Sequence, residues 1–240
     1  MTPSGSRDWS VGVVVPACNE EATIEKCIDT ILGSCAVAEV RAAWVVVVAD
    51  CCTDRTIERA RRALGGRGEV VAIHARSAGT ARRAGVARVL EHFDGIDPSR
   101  LWLANTDADT YVTADWLDVQ LSLADSGVTG VAGIVQLDGD CAAAQAVYRA
   151  TYRTTREGTH SHVHGANLSM RADAYLDVGG WSDLPLAEDH CLWGRLRHRG
   201  WSLSSPVSSV VITSSRLQGR AAGGFADSLR AGTQAGHADA

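Results

Sequence analysis

The chain has 240 residues, 45% of them hydrophobic and 21% charged, which suffices for one domain with a real core and excludes disorder, collagen and coiled coil. Its 23 basic and 28 acidic residues give a formal charge of -5, so the surface offers no electrostatic footprint for nucleic acid and any anionic ligand must be held locally. The longest apolar runs, Val11–Val15 and Ala42–Ala49, fall far short of the ~20 residues of a membrane helix, and the first ten residues are too polar for a signal peptide. A cytoplasmic chain with no integral membrane segment is expected. The seven cysteines are odd in number and form no C-x-x-C pair, which reads as buried, reduced thiols.

The β-branched run Val11–Val15 predicts a buried parallel strand ending at Pro16. Asn19 suits the N-cap of a helix carrying Ile24, Cys27, Ile28, Ile31 and Leu32, with Gly33 as its stop. Trp44–Ala49 is a second strand, Ile57, Ala60 and Leu64 mark a short helix closed by Gly65-Gly66, and Glu69–His74 is a third strand. A helix over Ala81–Phe93 and a strand over Leu101–Ala104 follow. Next come a helix capped by Thr113, with Leu117, Leu121 and Ala124 on one face, and a fifth strand over Val128–Leu137. A helix is expected over Cys141–Arg156, then a histidine-rich loop, then helices over Ala172–Val178 and Glu188–Arg199 with Gly200 as stop. Strands near Trp201–Leu203 and Val207–Thr213 lead into a Gly/Ala-rich tail. This alternation predicts an α/β domain with a mainly parallel sheet, helices on both faces, and ligands at the carboxyl ends of the strands.

Four polar clusters fall at those ends: Asn19-Glu20, Asp50 with Asp54, Asp107 with Asp109, and Thr213–Arg216. Each alone has a local reading as a cap or turn. Together they gather several carboxylates in one crevice, where like charges repel unless a cation or a hydrogen-bonding ligand is present. In extended geometry Asp107 and Asp109 face the same side and suit Mg²⁺ or Mn²⁺, whose shell phosphate oxygens would complete. That combination points to a nucleoside diphosphate. No G-x-G-x-x-G follows the first strand and no P-loop lysine motif is present, which disfavours a dinucleotide or P-loop site. Pro16–Glu21 likewise lacks the basic glycine-rich loop of a nucleotidyltransferase, and the intact Asp107, Asp109 and Asp189 disfavour a binding protein without catalysis.

His160, His162 and His164 alternate at period two and share one face of an extended segment. No carboxylate or cysteine lies at short spacing to finish a zinc site, so a solvated loop or a wall against substrate is the better reading. Trp102, Trp116, Trp193 and Trp201 sit in apolar runs and read as core, whereas Trp181, after Gly179-Gly180, is expected to face a ligand. Glu188-Asp189 opens a helix, where acids suit the dipole and where one of them can act as a general base.

In order along the chain stand Val13-Val14-Val15-Pro16-Ala17-Cys18-Asn19-Glu20-Glu21, Ala49-Asp50-Cys51-Cys52-Thr53-Asp54-Arg55-Thr56, Ala81-Arg82-Arg83-Ala84-Gly85 and Thr106-Asp107-Ala108-Asp109. Gly165-Ala166-Asn167-Leu168-Ser169-Met170-Arg171, Gly179-Gly180-Trp181 and Glu188-Asp189 follow. The set closely resembles the family-2 glycosyltransferases of the GT-A fold from about Val11 to Gly200. The resemblance implies a nucleotide-sugar donor, UDP-linked ahead of GDP-linked, a hydroxyl-bearing acceptor, hexosyl transfer, Mg²⁺ or Mn²⁺, and most often inversion at the anomeric carbon. By position it implies that Pro16, Ala17, Asn19, Glu20 and Asp50 hold base and ribose, that Asp107 lies near ribose, diphosphate and metal, and that Asp109 binds the metal. It also implies that Arg82 approaches the phosphates, that Asp189 is the catalytic base with Glu188 beside it, and that Gly165, Ala166, Asn167 and Trp181 form the acceptor side. Residues 11–137 would then be the donor half, 138–218 the acceptor half and 219–240 a flexible tail. The second motif departs from the usual Asp-Asp-Gly-Ser, and Arg83 replaces a common asparagine; both bear on base and sugar selectivity.

Overall fold

The first strand, β1 (Arg7–Ala17), runs longer than its β-branched core, because residues on both sides of the valine run also find partners on β2 (Val40–Asp50). The computed structural model describes residues 7–139, 158–184 and 186–214. Val11, Val13 and Val15 point to one face of the sheet and Val14 to the other, and all four are fully buried, each worth about 1.5–3 kcal/mol. Pro16 lies beyond the last pair with β4 (Leu101–Asn105), Val14 with Asn105, so its missing N–H interrupts nothing on that side.

The remaining elements are α1 (Ile24–Val37), α2 (Thr56–Leu64), β3 (Gly68–Ile73), α3 (Ala78–His92), β5 (Thr110–Val112) and α4 (Trp116–Asp125). After them come β6 (Gly130–Ala132), β7 (Ile134–Asp138), β8 (Leu168–Arg171), α5 (Ala172–Asp177), α6 (Glu188–His198), β9 (Leu203–Ser204) and β10 (Val210–Ser214). The main sheet has the order β3-β2-β1-β4-β8-β6-β9 and is mainly parallel, with β8 running against β4 and β6. A small sheet, β5-β10-β7, lies beside it. One core packs α1, α2 and α4 on one face, and a second packs α3, α5 and α6 on the other.

Several expected boundaries moved for identifiable reasons. Gly33 does not stop α1, which runs through it to Val37 because Ile31, Ser34 and Cys35 continue the buried stripe. The single strand expected over 128–137 is two strands in two sheets. They part at Gly133, where a Cβ would stand 2.2 Å from Asn167 Nδ2 and 2.5 Å from the Ser209 carbonyl. The expected helix 141–156 and the 219–240 tail lie outside the described residues. Of the described cysteines all are free, with Cys27 and Cys35 buried and Cys18, Cys51, Cys52 and Cys191 half-exposed.

Two glycines bring α3 hard against the sheet: a Cβ on Gly12 would meet Val89 Cγ1 at 2.0 Å, and one on Gly85 would meet Val14 Cγ1 at 2.4 Å. This close approach places the first turn of α3 beside the carboxyl ends of β1, β2 and β4. Asn167 plays the corresponding part between the sheets. Fully buried, it accepts from Trp116 Nε1 at 2.9 Å and donates to the carbonyls of Ile134 (2.9 Å) and Ser209 (3.0 Å). Asn167→Ala should therefore lower unfolding free energy in urea by about 1–3 kcal/mol per group left unsatisfied, and Gly133→Ala by about 1–3 kcal/mol through overpacking. Melting curves equal to wild type would contradict both assignments.

Candidate active site

The loops after β1 and β2 are stapled to each other by side chains the sequence placed at strand ends. Asn19 is not the cap of α1: it stands at φ 54°, and Thr23 precedes the helix. Its Oδ1 instead accepts from the amides of Thr53 (2.7 Å) and Asp54 (3.3 Å). Asp54 accepts in turn from the Glu21 amide (3.1 Å), and the buried Glu20 donates its own amide to Thr56 Oγ1 (2.7 Å). Cys51 takes the left-handed conformation at φ 55°, a position that favours glycine, while Cys52 Sγ meets the Asn19 amide and the Ala17 carbonyl, each at 3.4 Å. The departure from Gly-Ser at 51–52 thus puts a non-glycine residue, Cys51, in the left-handed region and lets the Cys52 thiol tie the loops after β1 and β2.

Asp50 accepts from the amides of Ala75, Arg76 and Ser77 at 2.8, 2.9 and 2.9 Å. Burial works to raise its carboxyl pKa, but these three N–H groups outweigh it and hold the group below its ordinary value. Its carboxylate therefore shapes the segment leading into α3, including Arg76 at φ 52°, rather than offering itself whole to a nucleobase.

Arg82 occupies the centre of the site. Its side chain, 5% exposed, bridges two sequence-distant carboxylates: Nη1 to Glu188 Oε1 at 2.6 Å and Nη2 to Asp107 Oδ1 at 2.7 Å. Both Nη atoms of the fork meet carboxylates, so Arg82, expected to approach the phosphates, stands here as a bridge between two acids. Glu188 and Asp189 open α6 directly after Ala187, which sits at φ 59° and turns the chain sharply into the helix. Asp189 Oδ2 accepts from the Gly165 amide (2.9 Å). In this way Gly165 joins the site through its backbone, and Ala166 is buried behind it. Asn167 serves the core, as described above. Trp181, expected to face a ligand, is 1% exposed and lies under Arg82, 5.2 Å from ring centroid to Cζ. Asp183, which no local pattern marked, accepts from Thr80 Oγ1 at 2.6 Å and is thereby tied to the first turn of α3.

Asp107 and Asp109 do not share one face of an extended strand. The chain turns there, with the Thr110 amide donating to the Asp107 carbonyl at 3.0 Å, so Asp107 goes to Arg82 and Asp109 turns the other way. Asp109 borders a cavity of about 140 Å³ lined also by Lys26, Tyr111, Asp138 and Ser214. The hydroxyls of Thr110 and Thr213 approach its Oδ1 at 3.4 and 3.5 Å. The oxygens of Asp109, Asp138, Thr110 and Thr213 are hard donors that suit Mg²⁺ or Mn²⁺, which take one or two protein carboxylates and leave the remaining positions to phosphate and water, while the Lys26 ammonium brings a positive charge to the same cavity. Among the described residues no group of three or more His, Cys, Asp or Glu side chains is arranged to hold a metal unaided. A larger cavity of about 290 Å³ lies at the opposite end of the strands against Trp9, Arg100 and Arg171, away from all of these groups.

The histidines do alternate onto one face. Their rings form a ladder, His160 to His162 at 6.2 Å and His162 to His164 at 6.0 Å, ending beside Gly165. Burial pushes the His164 imidazole down to about 4 against the opposing pull of Asp189, so it is neutral at pH 7.

The family model described as "Glycosyltransferase like family 2" matches residues 8–220. Among solved structures, the mannosyltransferase PcManGT from Pyrobaculum calidifontis in complex with GDP-Man and Mn²⁺ superimposes with a TM-score of 0.63 at 22% identity, over 88% of this chain and 58% of that one. S. aureus TarS 1-349 in complex with UDP gives 0.60 at 16% identity, over 86% and 61%. GalNAc-T7 with UDP, GalNAc and Mn²⁺ gives 0.63 at 12% identity, over 88% and 46%. The chain therefore spans only 46% to 61% of the length of these three, and at such identities the likeness is one of fold. The search of curated proteins gives no match. A mainly parallel α/β sheet, carboxylates gathered at its strand ends, and a family match over nearly the whole described chain lead to one conclusion: the chain belongs to the family-2-like glycosyltransferases and has the GT-A fold.

Proposed function

We propose that the chain transfers a hexosyl group from a nucleoside-diphosphate sugar, UDP-linked ahead of GDP-linked, to an acceptor hydroxyl, with a divalent cation and with inversion at the anomeric carbon. The observation that carries this reading is the Arg82 bridge, which sets the donor-side Asp107 and the Glu188-Asp189 pair within the span of one guanidinium. In this reading residues 11–137 hold the donor and 138–218 the acceptor, and the free cysteines agree with a cytoplasmic setting.

The roles then divide by what each side chain is free to do. Asp109, with phosphate oxygens of the donor, holds the cation. When bound, the cation neutralises charge on the departing diphosphate. Asp50, Asn19 and Glu20 shape the base pocket through the loops they tie, with Pro16 and Ala17 as its floor at the end of β1. Of the two acids on α6, Glu188 is paired with Arg82, whereas Asp189 is oriented by two amides, Gly165 on Oδ2 and His190 on Oδ1, and has lone pairs left for the proton of the attacking hydroxyl. The stacked rings of His162 and His164, the latter neutral at pH 7, stand near that carboxylate and suit an acceptor side.

Two outcomes are expected. In thermal-shift and calorimetric titrations with UDP, GDP, TDP, CDP and ADP, wild type binds UDP most tightly and only with Mn²⁺ present, and Asp109→Ala abolishes that binding without unfolding the protein. A wild type that binds none of the five with Mn²⁺ would end the donor-site assignment. For the chemistry, Asp189→Asn should lower kcat about 10²–10⁴-fold with UDP binding nearly unchanged. Near-normal kcat in that variant, or a product of retained anomeric configuration by NMR, would contradict the inverting base mechanism.

A further inference from the structure

The surroundings of Arg82 give it a task other than phosphate binding. A guanidinium that left its bridge to reach a diphosphate would strip the counter-charge from both Asp107 and Glu188, the latter with a side chain only 13% exposed. It is also fixed from the sides. Trp181 lies against it, and Gly165 packs so closely that a Cβ there would stand 2.5 Å from Arg82 Cζ. Glu188 is held from below in the same manner, because a Cβ on Gly79 of α3 would meet its Cγ at 3.2 Å.

Asp189 has three attachments that set where its carboxylate sits. One is the chain itself, through the neighbouring Glu188 at the first position of α6; the others are the His190 amide, 2.7 Å from Oδ1, and the Gly165 amide, 2.9 Å from Oδ2. Arg82 stands behind the first and the last of these, paired with Glu188 and packed on Gly165. We infer that Arg82 is a positioning residue for Asp189, holding Glu188 and Gly165 in place so that the carboxylate keeps its aim at the acceptor oxygen. The inference rests on the glycosyl-transfer reading above. It also explains why an arginine is required: a planar fork offers two donors at fixed separation to two carboxylates, whereas a lysine offers a point charge that serves one at a time.

The test compares Arg82→Lys and Gly165→Ala with wild type. The readouts are UDP binding with Mn²⁺ by calorimetry, melting temperature, and the pH profile of kcat for hydrolysis of UDP-glucose or GDP-mannose, with water as acceptor. Both variants should bind UDP within about twofold of wild type while kcat falls about 10–100-fold, the range expected for a catalytic group misplaced by about an ångström. Both should also shift the acid limb of the kcat profile, the limb on which the base loses its proton. Gly165→Ala reaches the same outcome with the arginine still present, so a poorly folding Arg82→Lys leaves the inference testable. UDP binding weakened tenfold with kcat retained would make Arg82 a phosphate ligand and overturn it. A lower melting temperature with kcat per folded molecule and pH profile unchanged would make the bridge merely structural and overturn it too. A wild type that binds neither UDP nor GDP with Mn²⁺ would defeat the glycosyl-transfer reading itself, an outcome distinct from failure in the variants alone.

Discussion

A buried guanidinium shared by two carboxylates is the interaction on which this site depends. Taking a charge out of water is costly, and a bridge of this kind stands only where geometry supplies partners at both ends; removing one partner of such a pair typically costs about 3–5 kcal/mol. Arg82 meets that condition because α3 is drawn against the sheet through Gly12 and Gly85, which carries its first turn to the ends of β1, β2 and β4. Asp107 arrives from the end of β4, and Glu188 from the start of α6. Three elements far apart in sequence are locked at one point.

The bridge also separates functions that the sequence left overlapping. Asp107 and Asp109 are two residues apart, yet the turn at 107–110 sends one to a buried arginine and leaves the other bordering a cavity shared with Lys26, Tyr111 and Asp138. Glu188 and Asp189 are adjacent, yet one is paired with a buried arginine and the other is held by two backbone amides. In each pair one carboxylate meets the guanidinium of Arg82 and its neighbour does not, and the proposed division of roles follows that difference. The strain at Cys51 and Arg76, after β2 and β3, and at Ala187, at the start of α6, all non-glycine residues at positive φ, lies beside these groups, where backbone strain commonly accompanies function.

Much of the fold was legible because hydrophobic periodicity carries it: the valine runs of β1 and β2 and the buried stripes of α1, α3 and α4 are local signals with local consequences. The candidate residues were legible as a set, since polar clusters at strand ends follow from sheet topology. Their partners were not. Nothing in the local sequence says that Asn19 reaches across to 53–54, that Asp50 is spent on three amides, or that Asn167 is a core hub between two sheets, because each depends on contacts more than twenty residues away. Trp181 was misjudged for the same reason: a tryptophan after two glycines looks like a loop residue until α3 and α6 close over it. Gly133 carried the one backbone break that periodicity could not see, since β6 and β7 share a continuous apolar pattern while belonging to different sheets.

The most direct test is a crystal structure with UDP and Mn²⁺, with the metal located by its anomalous signal. The manganese peak should lie beside the carboxylate of Asp109 and the diphosphate, while Arg82 still spans Asp107 and Glu188 and Asp189 keeps the Gly165 amide. A manganese peak away from Asp109, or a guanidinium swung out of its bridge onto the phosphates, would contradict the account.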